Sequence, residues 1–308
     1  MPSEPSDQVP SEITMIEVEN LAKSFPSPGG DGEVSVFNEV NFKIKKGEFV
    51  CLIGHSGCGK STLLNILAGL DTPSTGFAFA AGKEINGPGL DRAVVFQNHA
   101  LMPWMTSMSN IAFAVRSRWP QWPSSRVRAQ VERYLEMVDL KEAQRKKPAQ
   151  LSGGMKQRVG IARAFAIEPK ILLLDEPFGA LDALTRGSIQ EELVRICRTT
   201  EQTVFMITHD IDEAMLLADR IFLMTNGPEA RLCEIIVNTL PKDRQRHTMH
   251  HHANFYPLRN HLMDFLVNRS KAFAEIKESV DPKNVPQVEI TAENVVSPND
   301  EVALTSTS

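Results

Sequence analysis

The chain opens without any apolar pattern. MPSEPSDQVPSEIT is rich in Pro, Ser and Glu, and residues 1–13 are expected to be disordered, because they offer too little apolar surface to offset the entropy of ordering. From Met15 short β-like runs follow, MIEVENLAKSF and EVSVFNEVNFKIKKGEFVCLIG, punctuated by SPGGDGE and KKG. Further on, the apolar runs ILLLDEP, TVFMITHD and RIFLM are separated by two helical segments, LDALTRGSIQEELVRICRTTE and DIDEAMLLA. Apolar strands separated by helices predict an α/β fold with a mostly parallel sheet covered on both faces.

Between about residues 98 and 165 no strand signal occurs. Val127, Val131, Leu135 and Val138 recur at helical spacing, and SGGMKQRVGIARAFA reads as helix too, so a helical subdomain inserted into the α/β core is expected there. Beyond Arg231 the pattern is irregular until YPLRNHLMDFLVN. That segment places Leu258, Leu262, Phe265 and Leu266 on one face of a short amphipathic helix. Residues 271–308 carry Lys271, Lys277 and Lys283 against seven acids, with few large apolar groups, which predicts a disordered acidic tail. The expected division is therefore 1–13, a main domain over 14–240, an extension over 241–270, and the tail.

Composition changes this picture little. The 308 residues are 42% hydrophobic and 23% charged, as in ordinary globular chains. A net charge of −5 without a long basic block speaks against a nucleic-acid partner. No apolar run reaches the ~18 residues a membrane span needs. The first residues also lack the basic flank and apolar stretch of a secretory signal, which points to a cytoplasmic address. Cys51, Cys58, Cys197 and Cys233 show no CxxC spacing and read as buried hydrophobes or incidental thiols in a reducing compartment.

Chemistry enters at Gly54-His55-Ser56-Gly57-Cys58-Gly59-Lys60-Ser61-Thr62, which fits G-x-x-x-x-G-K-[ST]. The apolar run FVCLI leads in and the helical KSTLLNILAGL leads out. In that setting the glycines let backbone N–H groups wrap a phosphate chain, and the helix N-terminus favours its charge. Lys60 is expected on the β- and γ-phosphates of ATP and the Ser61 hydroxyl on Mg²⁺. Cys58 fills a variable loop position. The run Ile171-Leu172-Leu173-Leu174 delivers Asp175 and Glu176 to the carboxyl edge of the sheet. Asp175 is expected to hold Mg²⁺ through water, and Glu176 to act as general base on the attacking water.

Between these motifs lies Leu151-Ser152-Gly153-Gly154-Met155-Lys156-Gln157-Arg158. Here the chain resembles the ABC ATPase family, whose signature reads LSGGQ. Gln97 after VVF, the Gly179-Ala180-Leu181-Asp182 turn and His209 after FMIT complete the set in the right order. The resemblance implies a P-loop NTPase cassette with a RecA-like core, an antiparallel β subdomain and the inserted helical subdomain. It also implies that two ATP molecules sit between two head-to-tail cassettes, identical or paralogous. Ser152, Gly153 and Gly154 would then face the γ-phosphate held by the partner subunit's Lys60. His209 would contact the γ-phosphate and hold the water in line, and Gln97 would touch Mg²⁺ or water and report nucleotide state to the helical lobe. Phe25 stands where the family usually offers a tyrosine for stacking on adenine; a core aromatic of an early strand is the other reading.

The apolar stretch His99–Thr106, containing Trp104, reads either as a docking surface for a membrane permease or as packing within the helical lobe. It looks like that of importers for nitrate, sulfonates and taurine. FYPLRN and the helix after it are similar to the ending of nitrate, nitrite or cyanate transport ATPases. The resemblance thus implies an importer ATPase at the cytoplasmic face of a bacterial-type membrane. Its partners would be permease subunits and, through them, a solute-binding protein. A sulfonate or taurine importer is the nearer alternative. The other is a soluble ABC ATPase acting on nucleic acid or the ribosome, disfavoured by the short interval between Lys60 and the signature and by the single cassette. His247, His250, His251 and His252 are expected to form a solvated polar turn, since no cysteine except Cys233 lies near.

Overall fold

The computed structural model describes residues 13–27, 29–30, 32–275 and 281–294; the expectations for 1–12, 276–280 and 295–308 lie outside the described residues. The chain opens with β1 (Thr14–Pro26), β2 (Glu33–Lys45) and β3 (Phe49–Ile53), followed by α1 (Lys60–Ala68), β4 (Thr75–Ala80), β5 (Lys83–Glu84) and β6 (Arg92–Val95). A helical lobe comes next: α2 (Ser107–Arg118), α3 (Ser124–Met137) and α4 (Gly153–Phe165). The chain then returns through β7 (Ile171–Asp175), α5 (Ala183–Thr200), β8 (Thr203–Ile207), α6 (Ile211–Leu217), β9 (Arg220–Met224) and β10 (Leu232–Val237). After this, α7 (Phe255–Asp264) passes through a π turn (Phe265–Arg269) into α8 (Ser270–Glu275), and a short strand β11 (Gln287–Glu289) follows.

Two sheets form. One is antiparallel, in the order β2-β1-β4-β5. The other has seven strands in the order β11-β10-β9-β3-β8-β7-β6, and its segment from β9 to β6 is parallel throughout. Side chains alternate across the large sheet as a strand requires. Cys51, Ile53, Leu172 and Leu174 pack toward the helical lobe and α6, whereas Val50, Leu52, Ile171 and Leu173 pack toward α1 and the antiparallel sheet. Both faces are covered, which explains why these strands read as unbroken apolar runs. All four cysteines are buried and free.

The structure differs from the sequence-based expectation in two places. LCEIIV, irregular by its pattern, is β10, antiparallel to β9. Glu234 breaks its apolar pattern, yet this carboxylate is buried because His261 Nε2 and Arg269 Nη2 each lie 2.7 Å from it. Within the expected tail, Ile235, Ile236 and Val237 pair with Gln287, Val288 and Glu289, and Ile290 is buried. Thr239 Oγ1 donates to Ile290 O at 2.6 Å, and Ala292 N donates to Asn254 Oδ1 at 3.0 Å. Backbone pairing of this kind leaves no mark on composition, so the disorder expected for 271–308 does not hold over 281–294, nor over 271–275, which belongs to α8. In the extension, Leu258, Leu262 and Phe265 are fully buried as expected; Leu266 is only partly buried because the chain enters the π turn at Phe265.

Candidate functional site

Because β3, β8, β7 and β6 are parallel neighbours, their carboxyl ends share one edge of the sheet. The phosphate loop leaves β3 there, Asp175 ends β7, His209 follows β8 by two residues, and Gln97 follows β6 by two. Residues far apart in sequence thereby meet. Ser61 Oγ donates to Asp175 Oδ1 at 3.2 Å. Gln97 Nε2 donates to Glu176 Oε2 at 3.1 Å, and His209 Nδ1 lies 3.3 Å from Glu176 Oε1. Glu176 thus has one polar neighbour on each carboxylate oxygen. Its backbone is left-handed, φ +46°, a conformation costly to a residue with a side chain and favoured at functional turns.

The loop itself is shaped by glycine. Gly57 and Gly59 have φ +82° and +93°, and a Cβ on Gly59 would lie 2.5 Å from Val36 Cγ1. A Cβ on Gly54 would lie 2.9 Å from Met224 O. Lys60 is buried, with Nζ 2.7 Å from both Gly54 O and His55 O, so its charge is held inside the loop. The first turn of α1 carries no acid, leaving its positive end free for an anion. His55, Ser56 and Gly57 are exposed, whereas Thr62 is half-buried. Cys58 is fully buried with Sγ 3.8 Å from Lys60 Nζ, and burial pushes its thiol pKa up despite that neighbour.

The donor set suits ATP with Mg²⁺. The Ser61 hydroxyl and the Asp175 carboxylate meet at the loop, and the Gln97 amide lies against the adjoining Glu176; oxygen donors of this kind are what a small divalent cation takes. Burial raises the Asp175 pKa, with the Ser61 hydrogen bond opposing it, so this carboxylate gains from a cation beside it.

Ser152, Gly153 and Gly154 are not part of this cluster. They start α4, where Ser152 Oγ accepts from Met155 N at 3.3 Å as N-cap, and the first turn carries no acid. Ser152 and Gly153 are exposed, and a Cβ on Gly154 would approach Ala180 O at 3.3 Å. Phe25 lies on β1, 43% exposed, paired with Val34 of β2 and 4.8 Å beneath Lys23 Nζ. It is thus not a core aromatic, and its strand pair lies two residues from Val36, which touches the loop. The histidines at 247 and 250–252 surround a short 3₁₀ turn, and among the described residues no group of three or more His, Cys, Asp and Glu side chains is placed to hold a metal ion.

The structure adds contacts that the motifs do not announce. Buried Asn110 accepts from Met102 N at 2.8 Å, and its amide lies within 3.3 Å of the Met102, Met105 and Thr106 carbonyls, fixing the loop that displays Trp104 at 67% exposure. Arg163 of α4 donates to Ala100 O at 2.7 Å, and Gln157 pairs with the His99 ring, so the signature helix holds the segment after Gln97. Thr208 and Asp210, on either side of His209, are both bonded to Glu213. Only tertiary geometry reveals the ties of Arg163 and Gln157, which span 63 and 58 positions; the Asp210–Glu213 bond is a local helix cap.

Comparison with known proteins agrees with this geometry. A family model described as ABC transporter matches residues 37–179. The bicarbonate transport ATP-binding protein CmpD of Synechococcus elongatus is 51% identical over 260 residues, covering 84% of this chain and 93% of that protein. CmpC of the same organism is also 51% identical, over 82% of this chain, but the chain spans only 38% of CmpC's length. The nitrate import ATP-binding protein NrtD of that organism is 47% identical over 86% of the chain and 96% of its own length. Among solved structures, the dimeric post-hydrolysis state of the ATP-binding cassette MJ0796 bound to ADP and Pi is similar at 34% identity and a TM-score of 0.64, covering 68% of this chain and 94% of that one. Sharing half its residues with CmpD across nearly all of that protein, and the cassette fold with MJ0796, the chain belongs to the ABC transporter family.

Proposed function

We propose that this chain is the ATP-hydrolysing subunit of an importer for a small monovalent anion, acting as one of two cassettes. The observation that carries the reading is Glu176, held between Gln97 and His209 beside the Ser61–Asp175 pair. Lys60 and the loop N–H groups bind the β- and γ-phosphates. Ser61 and Asp175, with Gln97 near, would hold Mg²⁺, which when bound offsets negative charge on the phosphate oxygens. Glu176 takes the proton of a water whose oxygen attacks the γ-phosphorus, while the bond to the bridging oxygen breaks and ADP keeps its electron pair. His209 keeps that water and the γ-phosphate in line.

The exposed start of α4 completes the site of a second cassette: its free N–H groups and small residues can meet a phosphate chain on another chain. Such closure also expels water from the reacting centre. No helix among the described residues is long and apolar enough to cross a membrane. In this reading the path for the anion belongs to separate permease subunits, docked over the Trp104 loop at the cytoplasmic face, with a solute-binding protein acting through them.

Nitrate is the cargo supported by the FYPLRN ending and by the likeness to NrtD. Bicarbonate is the second reading, supported by the likeness to CmpD. Both are flat, three-oxygen anions of single charge, so related binding partners could present either. Glu176→Gln should bind ATP but lose turnover by about 10²-fold or more; undiminished hydrolysis sinks the general-base assignment. For cargo, the complex with its permease and binding protein should show ATPase stimulated by nitrate or bicarbonate when these are titrated beside nitrite, cyanate and alkanesulfonates. Stimulation by a sulfonate alone overturns the reading.

A further inference from the structure

The carboxy-terminal extension reaches the phosphate loop. His55, the second residue of that loop, places its ring Nε2 2.5 Å from the main-chain carbonyl of Leu266. Because that partner is a carbonyl, Nε2 carries the proton and donates. Leu266 lies in the π turn, where the widened helix carries its carbonyls off the α-helical course. The turn is held firmly. Phe255, Leu258, Leu262 and Phe265 anchor the extension in the core, Arg259 Nε bonds Asp212 Oδ1 of α6 at 3.0 Å, and His261 and Arg269 clamp Glu234 on β10. The carbonyl offered to His55 is therefore fixed by the body of the fold.

We infer that the extension is a brace that sets the phosphate loop through His55 and thereby raises its affinity for nucleotide. His55 is a positioning residue in this scheme: its ring faces the extension, while the loop carbonyls of Gly54 and His55 receive Lys60. Preorganising a binding loop strengthens binding by removing the ordering cost from the binding step. By linkage, nucleotide must in turn favour the docked extension. The inference rests on the reading of this loop as an ATP site.

Binding of a fluorescent ATP analogue to the full chain tests it. His55→Ala should weaken binding about three- to tenfold, the worth of one net hydrogen bond. His55→Gln, whose amide N–H reaches about as far, should restore affinity to within about twofold. Arg269→Ala, which loosens the turn from the other side, should weaken binding as well, and the double variant should be no weaker than the worse single one. Unchanged affinity in His55→Ala, failure of glutamine to restore it, or additive losses overturn the brace. Hydrogen exchange of residues 54–59 without nucleotide is an independent measurement: it should quicken in His55→Ala and Arg269→Ala, and unaltered exchange refutes the brace. Should the wild-type chain bind no ATP, the nucleotide reading fails, and the exchange result alone decides the brace.

Discussion

At Gly59 the backbone has φ +93°, and a Cβ built there would lie 2.5 Å from Val36 Cγ1 and 2.9 Å from Phe37 Cδ1. Gly59→Ala therefore meets two obstacles at once. The backbone strain costs about 1–3 kcal/mol, and forcing a methyl against fully buried Phe37 costs about 1–3 kcal/mol more. A loss of about 2–6 kcal/mol follows if the loop keeps its shape, which lowers the thermal midpoint by at least about 3 °C in a chain of 308 residues. If the loop shifts instead, the strain is relieved but the N–H groups no longer converge, and nucleotide affinity falls. Melting curves with and without ATP read both terms. Gly57→Ala is the internal comparison: φ is +82°, but no atom lies within 4 Å of the added Cβ, so only the strain term applies. Equal damage from the two substitutions, or none from Gly59→Ala, refutes the steric reasoning.

Two further outcomes follow from the geometry. Gly153 lies in the first turn of α4 with open space around a built Cβ, so Gly153→Ala should leave the melting temperature unchanged or slightly raised and leave ATP binding intact; in the proposed pairing hydrolysis should fall, because the methyl would intrude where a second cassette's phosphates are placed, and undiminished turnover contradicts that placement. Acid should release the extension before the core. Burial alone would raise the Glu234 pKa, but His261 and Arg269 outweigh it and hold it below the usual 4.5. The folded carboxylate resists protonation more than the unfolded one, so its contribution is complete above about pH 4.5 and is lost as pH falls through the lower folded value. Hydrogen exchange of residues 255–270 should then rise at a higher pH than that of 171–175; simultaneous exchange contradicts it.

The phosphate loop and the strand-end carboxylates were legible because their chemistry needs particular residues in an unbroken run. Gly54 to Thr62 and Asp175-Glu176 each carry their flanking strand with them. The cluster of Gln97, Glu176 and His209 could be ordered from the family pattern, but its distances come only from adjacent parallel strands. Strand β10 was hidden by Glu234, whose cost in a buried strand is offset by residues 27 and 35 positions away. The tie between His55 and the Leu266 carbonyl was invisible for the same reason, since it spans 211 positions. Asn110, by contrast, bonds carbonyls only four to eight residues away, in an irregular loop whose shape no periodicity announces. Kinship cues in two short stretches suggested nitrate, nitrite, cyanate or sulfonates and did not reach bicarbonate, since this subunit need not touch the cargo.

Three residues of β11 have an effect out of proportion to their length. They pair alongside β10, which would otherwise end the large sheet with an open row of backbone donors and acceptors. Such a row is a template for any other strand, including one from a second copy of the chain. With Gln287–Glu289 in place, the outermost strand is short and ends in an acid, a poor template for growth. In the proposed head-to-tail pairing of two cassettes, each phosphate loop against the other's α4, such a blunted edge keeps a second chain from docking edge to edge instead.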